Sequence, residues 1–258
     1  MHFGFPWYWF KHRTPWFSGR LGPLVLVGTH HKTGTVWMKH IFEAISKTHD
    51  LKFYYGRQNK LPRETELFFS DHSWFRFKAL PGNYRGLHLI RDPRDVIVSG
   101  AFYHQKSSEA WLQEPRRKFQ GQSYQRALNQ RESLEAKIRF EMEHAGASTI
   151  HEMLTWNYAN RQFIEVKYEE LIQDESLVLF REIFTFLGYP ESWMDSLLGI
   201  AYENSLFSGS VKQSGHVRSG LPRQWEQYFT PELRQRFLEL FGDALVRLGY
   251  EADDRWCQ

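Results

Sequence analysis

Two basic residues in this chain stand where a phosphate could be held. Lys32 lies in the loop His30-His31-Lys32-Thr33-Gly34, between an apolar run over 24–28 and a segment whose apolar residues recur at helical spacing: Trp37, Met38, Ile41, Phe42 and Ile45. A loop that opens a helix turns several backbone N–H groups toward one point at the positive end of the helix dipole, and a lysine adds a full charge there. Arg91 follows a second apolar run, 86–90, and begins the stretch Arg91-Asp92-Pro93-Arg94-Asp95. Its guanidinium is a planar fork suited to phosphate oxygens. A lysine inside a Gly/Thr loop has no apolar surface to cover. Arg91 by contrast could pair with Asp95 at a surface, where such a pair contributes little.

The spacing argues against a nucleoside-triphosphate loop. That pattern is G-x-x-x-x-G-K-[ST], with the lysine after the second glycine. Here Lys32 precedes Gly34 and five residues separate Gly28 from Gly34. No acidic residue suited to magnesium follows a strand in the expected place either.

The elements that must position these residues can be read from periodicity. Strands are predicted over 24–28, 86–90 and 163–168 (FIEVKY). Helices are predicted from near Thr35, over 96–103 with Pro93 at the start, and along Leu177, Phe180, Ile183, Phe184 and Leu187 up to Gly188. One long amphipathic helix is expected over 123–144, closed by Gly146, and a last one from Thr230-Pro231 through Leu248 to Gly249. Segment 51–85 reads as mixed, with turns at Pro62 and at Pro81-Gly82-Asn83. Strands alternating with helices imply a three-layer α/β/α sandwich on a parallel sheet, whose ligands sit beyond the carboxyl ends of the strands. Lys32 and Arg91 both leave from such ends.

Composition sets the bounds. At 258 residues, 41% hydrophobic and 24% charged, the chain can bury a real core. With no internal repeat and no low-complexity linker, one domain over 1–258 is the expectation. A net charge of +3 is too small to imply a nucleic-acid partner without a concentrated basic face. Cys257 is the only cysteine, so an internal disulfide is impossible, which fits a reducing compartment. No apolar run reaches the length that crosses a bilayer. The aromatic and basic segment 1–20 lacks the features of a signal peptide and reads as an N-terminal arm. A cytoplasmic protein is expected.

Four stretches together resemble one known family. HHKTGTVW (30–37) is similar to the YPKSGTTW loop of the sulfotransferases, and RDPRDVIVS (91–99) to their 3′-phosphate motif, an arginine and a serine eight residues apart. VKYEELIQD (166–174) and VRSGLPRQWEQYFTPE (217–232) resemble two further stretches, the latter their R-K-G-x-x-G-x-W segment. The resemblance implies an enzyme that moves a sulfuryl group from 3′-phosphoadenosine-5′-phosphosulfate (PAPS) to an acceptor hydroxyl or amine, with no metal. On it, Lys32, Thr33, Gly34, Thr35, Val36 and Trp37 take the 5′-phosphosulfate, with Trp37 offering its face to adenine. Arg91 and Ser99 take the 3′-phosphate; Arg218, Ser219 and Gly220 close over it. Tyr168 matches the family's nucleotide-contacting tyrosine, and Ser205 is a further adenine or phosphate contact. The acceptor would be a small molecule or a carbohydrate, shaped for by segments 51–85 and 105–160.

The resemblance also implies a general base. Many members carry a histidine in a K-T-H stretch shortly before the strand of the 3′-phosphate arginine, and His72 lies 19 residues ahead of Arg91. A histidine titrates near working pH without help. His104 and His40 are reserves, Asp71 is a carboxylate alternative, and His30 and His31 could touch phosphate. The chain departs from the family pattern at His31 (proline), Ser70 (lysine) and Ser219 (lysine). At the three marked places of a dimerisation stretch it has Glu226, Pro231 and Gln235. Two rival functions are a phosphotransferase of the nucleoside kinase type and a nucleotide-binding module without the chemistry.

Overall fold

The computed structural model describes residues 22–209 and 220–257. Its centre is a five-stranded sheet: β1 (Leu24–Gly28), β2 (Phe53–Tyr55), β3 (Leu67–Ser70), β4 (Tyr84–Ile90) and β5 (Phe163–Lys167). All pairings are parallel, in the order β2-β3-β1-β4-β5. Strand β1 is buried at every position because it has neighbours on both edges and packing on both faces.

Alternate residues separate the two faces. Val25, Val27, Leu67, Phe69, Leu87 and Leu89 pack under α1 (Thr35–Thr48), α6 (Val178–Leu187) and α7 (Met194–Glu203). Leu24, Leu26, Phe68, Tyr84 and Phe163 face the other way, onto Phe75, Phe77 and Trp156. Beyond the carboxyl end of β4, α2 (Pro93–His104) packs with α4 (Leu134–Glu143), α5 (Ala145–Thr155) and α8 (Pro231–Phe241) in a second cluster. This is the expected α/β/α sandwich.

Three expectations need correction. Segment 51–85 contains two strands, β2 and β3; LFFS in β3 is four residues long, too short for its period to be told from a buried helix segment. The long helix expected over 123–144 is two helices, α3 (Tyr124–Asn129) and α4, because Ser133 caps a new start by accepting from Ala136 N at 3.1 Å. The next helix begins at once at Ala145, with Gly146 inside it. The last helix stops at Phe241, where Gly242 adopts φ 52°, and a single turn, Ala244–Arg247, follows.

Close approach inside the sheet yields a first prediction. Gly86 pairs with Phe163, and a Cβ there would lie 2.2 Å from the Phe163 ring, itself wedged among Phe75, Phe77 and Trp156. Gly86→Ala is therefore expected to destabilise the fold by about 1–3 kcal/mol through overpacking. Urea unfolding reads this as a lower midpoint at unchanged slope, and an unchanged midpoint would show that the ring can move aside.

Candidate active site

Four adjacent strands deliver the site residues from their carboxyl ends. β1 leads into the Lys32 loop, β3 into Asp71-His72, β4 into Arg91 and β5 into Tyr168. Since β1 is flanked by β3 and β4, these segments converge at the point where the strand order reverses, the usual ligand crevice of such sheets.

The Lys32 loop is held by its own hydroxyls. Thr33 Oγ1 donates to His30 O at 2.9 Å and accepts from His30 N at 2.9 Å, while Thr35 Oγ1 donates to His30 O at 2.8 Å. Thr33 is thus a buried staple within the loop. Lys32 and Gly34 take left-handed backbone angles, φ 66° and 105°. That conformation is costly for lysine and typical of sites where the surroundings hold it. Among the described residues no side chain caps α1, and no acidic residue lies in its first turn. Its leading N–H groups, at Thr35, Val36 and Trp37, therefore keep the positive end of the dipole for a ligand.

Lys32 Nζ sits 3.6 Å from the centre of the Tyr103 ring. Burial, and then the Arg91 charge, bring its ammonium down to about 8. Arg91 Nη1 donates to Lys32 O at 3.2 Å, so the two cationic elements are joined. Arg91 is 6% exposed and Asp95 1%, which makes their 3.7 Å ion pair a buried one and not a surface pair. The Arg91 guanidinium also lies 4.5 Å over the Tyr168 ring, and its Nε is a buried N–H with no partner among the described residues. The same holds for Trp37 Nε1, beside Tyr168 and Phe180. Unpartnered buried donors are rare enough to need an explanation, and an anionic or heterocyclic ligand is one.

The neighbouring loop is capped and clamped. Asp92 accepts from Arg94 N at 2.9 Å to start α2, with Pro93 in the first turn. Asp95 Oδ1 accepts from Trp225 N at 2.9 Å, and Tyr168 OH donates to Gly220 O at 2.9 Å. These two bonds hold the C-terminal stretch against the ends of β4 and β5.

His72 stacks on Trp74 at 4.6 Å, keeps a side chain 36% exposed, and places Nδ1 3.2 Å from Glu152 Oε2. That hydrogen bond raises its pKa above the ordinary histidine value, against a smaller opposing effect of burial. The other loop histidines are occupied. His30 Nδ1 meets Glu152 and its Nε2 meets His88. His31 Nε2 meets His104 Nε2 at 2.8 Å, and His104 Nδ1 meets Glu141 at 2.8 Å. Burial drives His30 down to about 4 and His31 well below its usual range, so neither adds a positive charge at neutral pH. His104 is fully buried with both nitrogens engaged; His40 is exposed on α1; Asp71 accepts from Tyr55 OH at 2.7 Å.

Lys32, Gly34, Thr35, Trp37, Arg91, Tyr168, Gly220 and His72 are thus gathered at one edge, with Ser99 half-buried two turns along α2 and Val36 half exposed. Ser205 lies apart in one respect: it is fully buried and its hydroxyl donates to Ala201 O at 2.6 Å. Arg218 and Ser219, like the arm 1–20, lie outside the described residues. Glu152, His88, Glu165 and Tyr103 were not singled out by motif. The signal for two of them is visible in hindsight: a histidine and a glutamate interrupt the apolar runs of β4 and β5, and the register pairs them, His88 with Glu165.

Comparison with known proteins bears on this arrangement. A family model described as the sulfotransferase domain matches residues 23–249. No curated protein sequence matches significantly. Among solved structures, mouse sulfotransferase SULT7A1 complexed with PAP is similar at 18% identity and a TM-score of 0.57, covering 89% of this chain and 86% of that one. Retinol dehydratase in complex with androsterone and inactive cofactor PAP is 15% identical with a TM-score of 0.49, over 86% and 81% of the two chains.

Proposed function

The chain belongs to the sulfotransferase domain family, and from that premise we propose that it transfers a sulfuryl group from PAPS to an acceptor hydroxyl or amine. The observation that carries this reading is the junction of two anion-holding elements. The Lys32 loop and Arg91 touch at 3.2 Å, and the Nε of Arg91 has no partner among the described residues. PAPS carries two phosphate clusters on one ribose and needs two holders of this kind. It supplies the activated sulfuryl group and a phosphate leaving group.

Each residue has a role in the proposal. Lys32 and the first-turn N–H groups of α1 hold the 5′-phosphosulfate. Arg91 grips the 3′-phosphate, Ser99 donates from α2, and Arg218, Ser219 and Gly220 close from the far end of the chain. Trp37 and Tyr168 flank the base. His72 takes the acceptor's proton as the acceptor oxygen or nitrogen attacks sulfur, and Lys32 stabilises the charge that gathers on the departing phosphate oxygen. Trp74, 66% exposed beside His72, together with Tyr55 offers aromatic faces to a small-molecule or carbohydrate acceptor. Among the described residues no helix is long and apolar enough to cross a membrane. We assign the reaction to the cytoplasm on the lone cysteine.

Calorimetric titration with PAP and turnover of labelled PAPS against pooled acceptors test the reading together. Binding and transfer are expected. Magnesium-dependent ATP turnover without PAP binding would favour a phosphotransferase, and PAP binding with no acceptor sulfated would leave a binding module. The titration also has an expected pH dependence. Lys32 is cationic below about 8 in the free protein, so PAP affinity stays level on that side down to about pH 6, where the phosphates themselves begin to take up protons. Above it the protein must take up a proton to bind, and affinity falls by up to about tenfold per pH unit. A level profile through pH 9 would remove Lys32 from the anion site.

A further inference from the structure

A row of polar groups crosses the face of the sheet behind His72. Glu152, on α5, places one carboxylate oxygen 3.2 Å from His72 Nδ1 and 3.2 Å from His30 Nδ1. His30 Nε2 is 2.8 Å from His88 Nε2, and His88 Nδ1 meets the carboxyl of Glu165. Trp156 stacks on His88 at 4.0 Å and donates from Nε1 to the other Glu165 oxygen at 2.6 Å. His30 and His88 are 1% and 0% exposed, while the Glu165 side chain reaches solvent. Burying such groups costs free energy that an apolar filling would not, even when each is paired. The row therefore asks for a reason other than stability.

One order of protons satisfies every contact. Burial, against a smaller pull from Trp156, lifts Glu165 to about 7, so its carboxyl can donate to His88 Nδ1. His88, held neutral by burial at about 3, then donates from Nε2 to His30 Nε2. His30 donates from Nδ1 to Glu152. Burial pushes Glu152 up, but the bonds from His30 and His72 outweigh it and hold the carboxyl below the usual range. An ionised Glu152 is thus the acceptor of two imidazole N–H groups, one from each side.

Resting on the reading of His72 as the base, we propose that Glu152 is its positioning residue. The carboxylate takes the Nδ1–H of His72 and leaves Nε2 bare for the acceptor's proton, while His30, His88 and Glu165 hold that carboxylate in line. As the acceptor oxygen or nitrogen forms its bond to sulfur, the bond from sulfur to the 5′-phosphate oxygen breaks and that oxygen leaves with the electron pair, while the acceptor's proton passes to His72 Nε2 and Glu152 stabilises the imidazolium. The proton later leaves from Nε2 to solvent, which reaches the half-exposed ring. The charged and titratable groups facing His72 are Glu152 from α5, His30 and His31 from the β1 loop, Asp71 beside it and Glu109 from the segment after α2. Of these only Glu152 bonds the ring.

The test uses the full chain with nitrogen-15 histidine, whose proton–nitrogen correlations report the tautomer and titration of His72 without turnover. In the parent, neutral His72 carries its proton on Nδ1. In Glu152→Gln its titration is expected to move to lower pH, the Nε2–H form to appear, and the acid limb of kcat/KM to move to lower pH by the same interval, with PAP affinity unchanged. At the far end of the row, Glu165→Leu, which cannot donate to His88, is expected to move the His72 titration further than Glu165→Gln, whose amide can. This second pair keeps the test open if Glu152→Gln fails to fold. Unchanged titration and acid limb in Glu152→Gln, or equal behaviour of the two Glu165 variants, would overturn the inference. A coupled His72 in a protein that sulfates no acceptor would instead overturn the sulfotransferase reading alone.

Discussion

Lys32→Ala is expected to lower sulfuryl transfer from labelled PAPS by at least about 10²–10³-fold, the loss that follows removal of a single donor at a developing oxyanion. Lys32 is more than a single neutral donor. Its backbone is held at φ 66°, its ammonium rests on the Tyr103 ring, and the Arg91 side chain bonds its carbonyl. The charge is therefore preorganised, and desolvated enough to act strongly on a phosphate oxygen. Arg91→Ala is expected to abolish transfer too, but by loss of nucleotide affinity, since its guanidinium is buried between Tyr168 and Asp95 at the end of β4. Titration with PAP separates the two: the Arg91 variant should bind weakly at every substrate concentration, whereas the Lys32 variant should retain part of its binding and lose turnover. If both variants kept full activity, the nucleotide would have to sit elsewhere.

His72→Asn is expected to cost about 10²–10⁴-fold in kcat, the usual contribution of a general base, with PAP affinity unchanged. Geometry favours His72 over the other histidines. His30 and His104 are buried with both ring nitrogens in contact, and His31 is turned onto His104. His72 is exposed on one side and bonded on the other, as a base that meets an incoming acceptor must be. Normal turnover in His72→Asn would move the role to another group, with Asp71 the first to examine because it lies on the same turn.

Much of the fold was legible because its long elements carry strong local signals. The apolar run of β1, the Asp92-Pro93 start of α2 and the Gly188 end of α6 each reflect one local physical cause. β2 and β3 were missed because three and four residues show no period, and their strand character comes from pairing: β3 with β1, 42 positions away in the register Val25 to Leu67 through Gly28 to Ser70, and β2 with β3. The split at Ser133 was missed because helix-prone residues continue across it. In the site, Lys32 and Arg91 could be found by type and spacing, and the family resemblance located His72. Glu152 could not be found in this way: it lies 80 positions from His72, on a helix face indistinguishable in sequence from a solvated one.

The parallel arrangement of the sheet has a consequence for how the protein comes into being. Parallel neighbours cannot be joined by hairpins, so every pairing of β1 waits for a crossover to be completed. The central strand is made before either of its neighbours, and β5 is not available until the chain has passed Lys167. During synthesis the Lys32 loop therefore emerges long before Arg91, Tyr168 and Gly220, and a nascent chain has half an anion site at most. Nucleotide binding is then a late event in maturation, and β1, an apolar strand with both edges open, is the segment with most to gain from a chaperone in the interval.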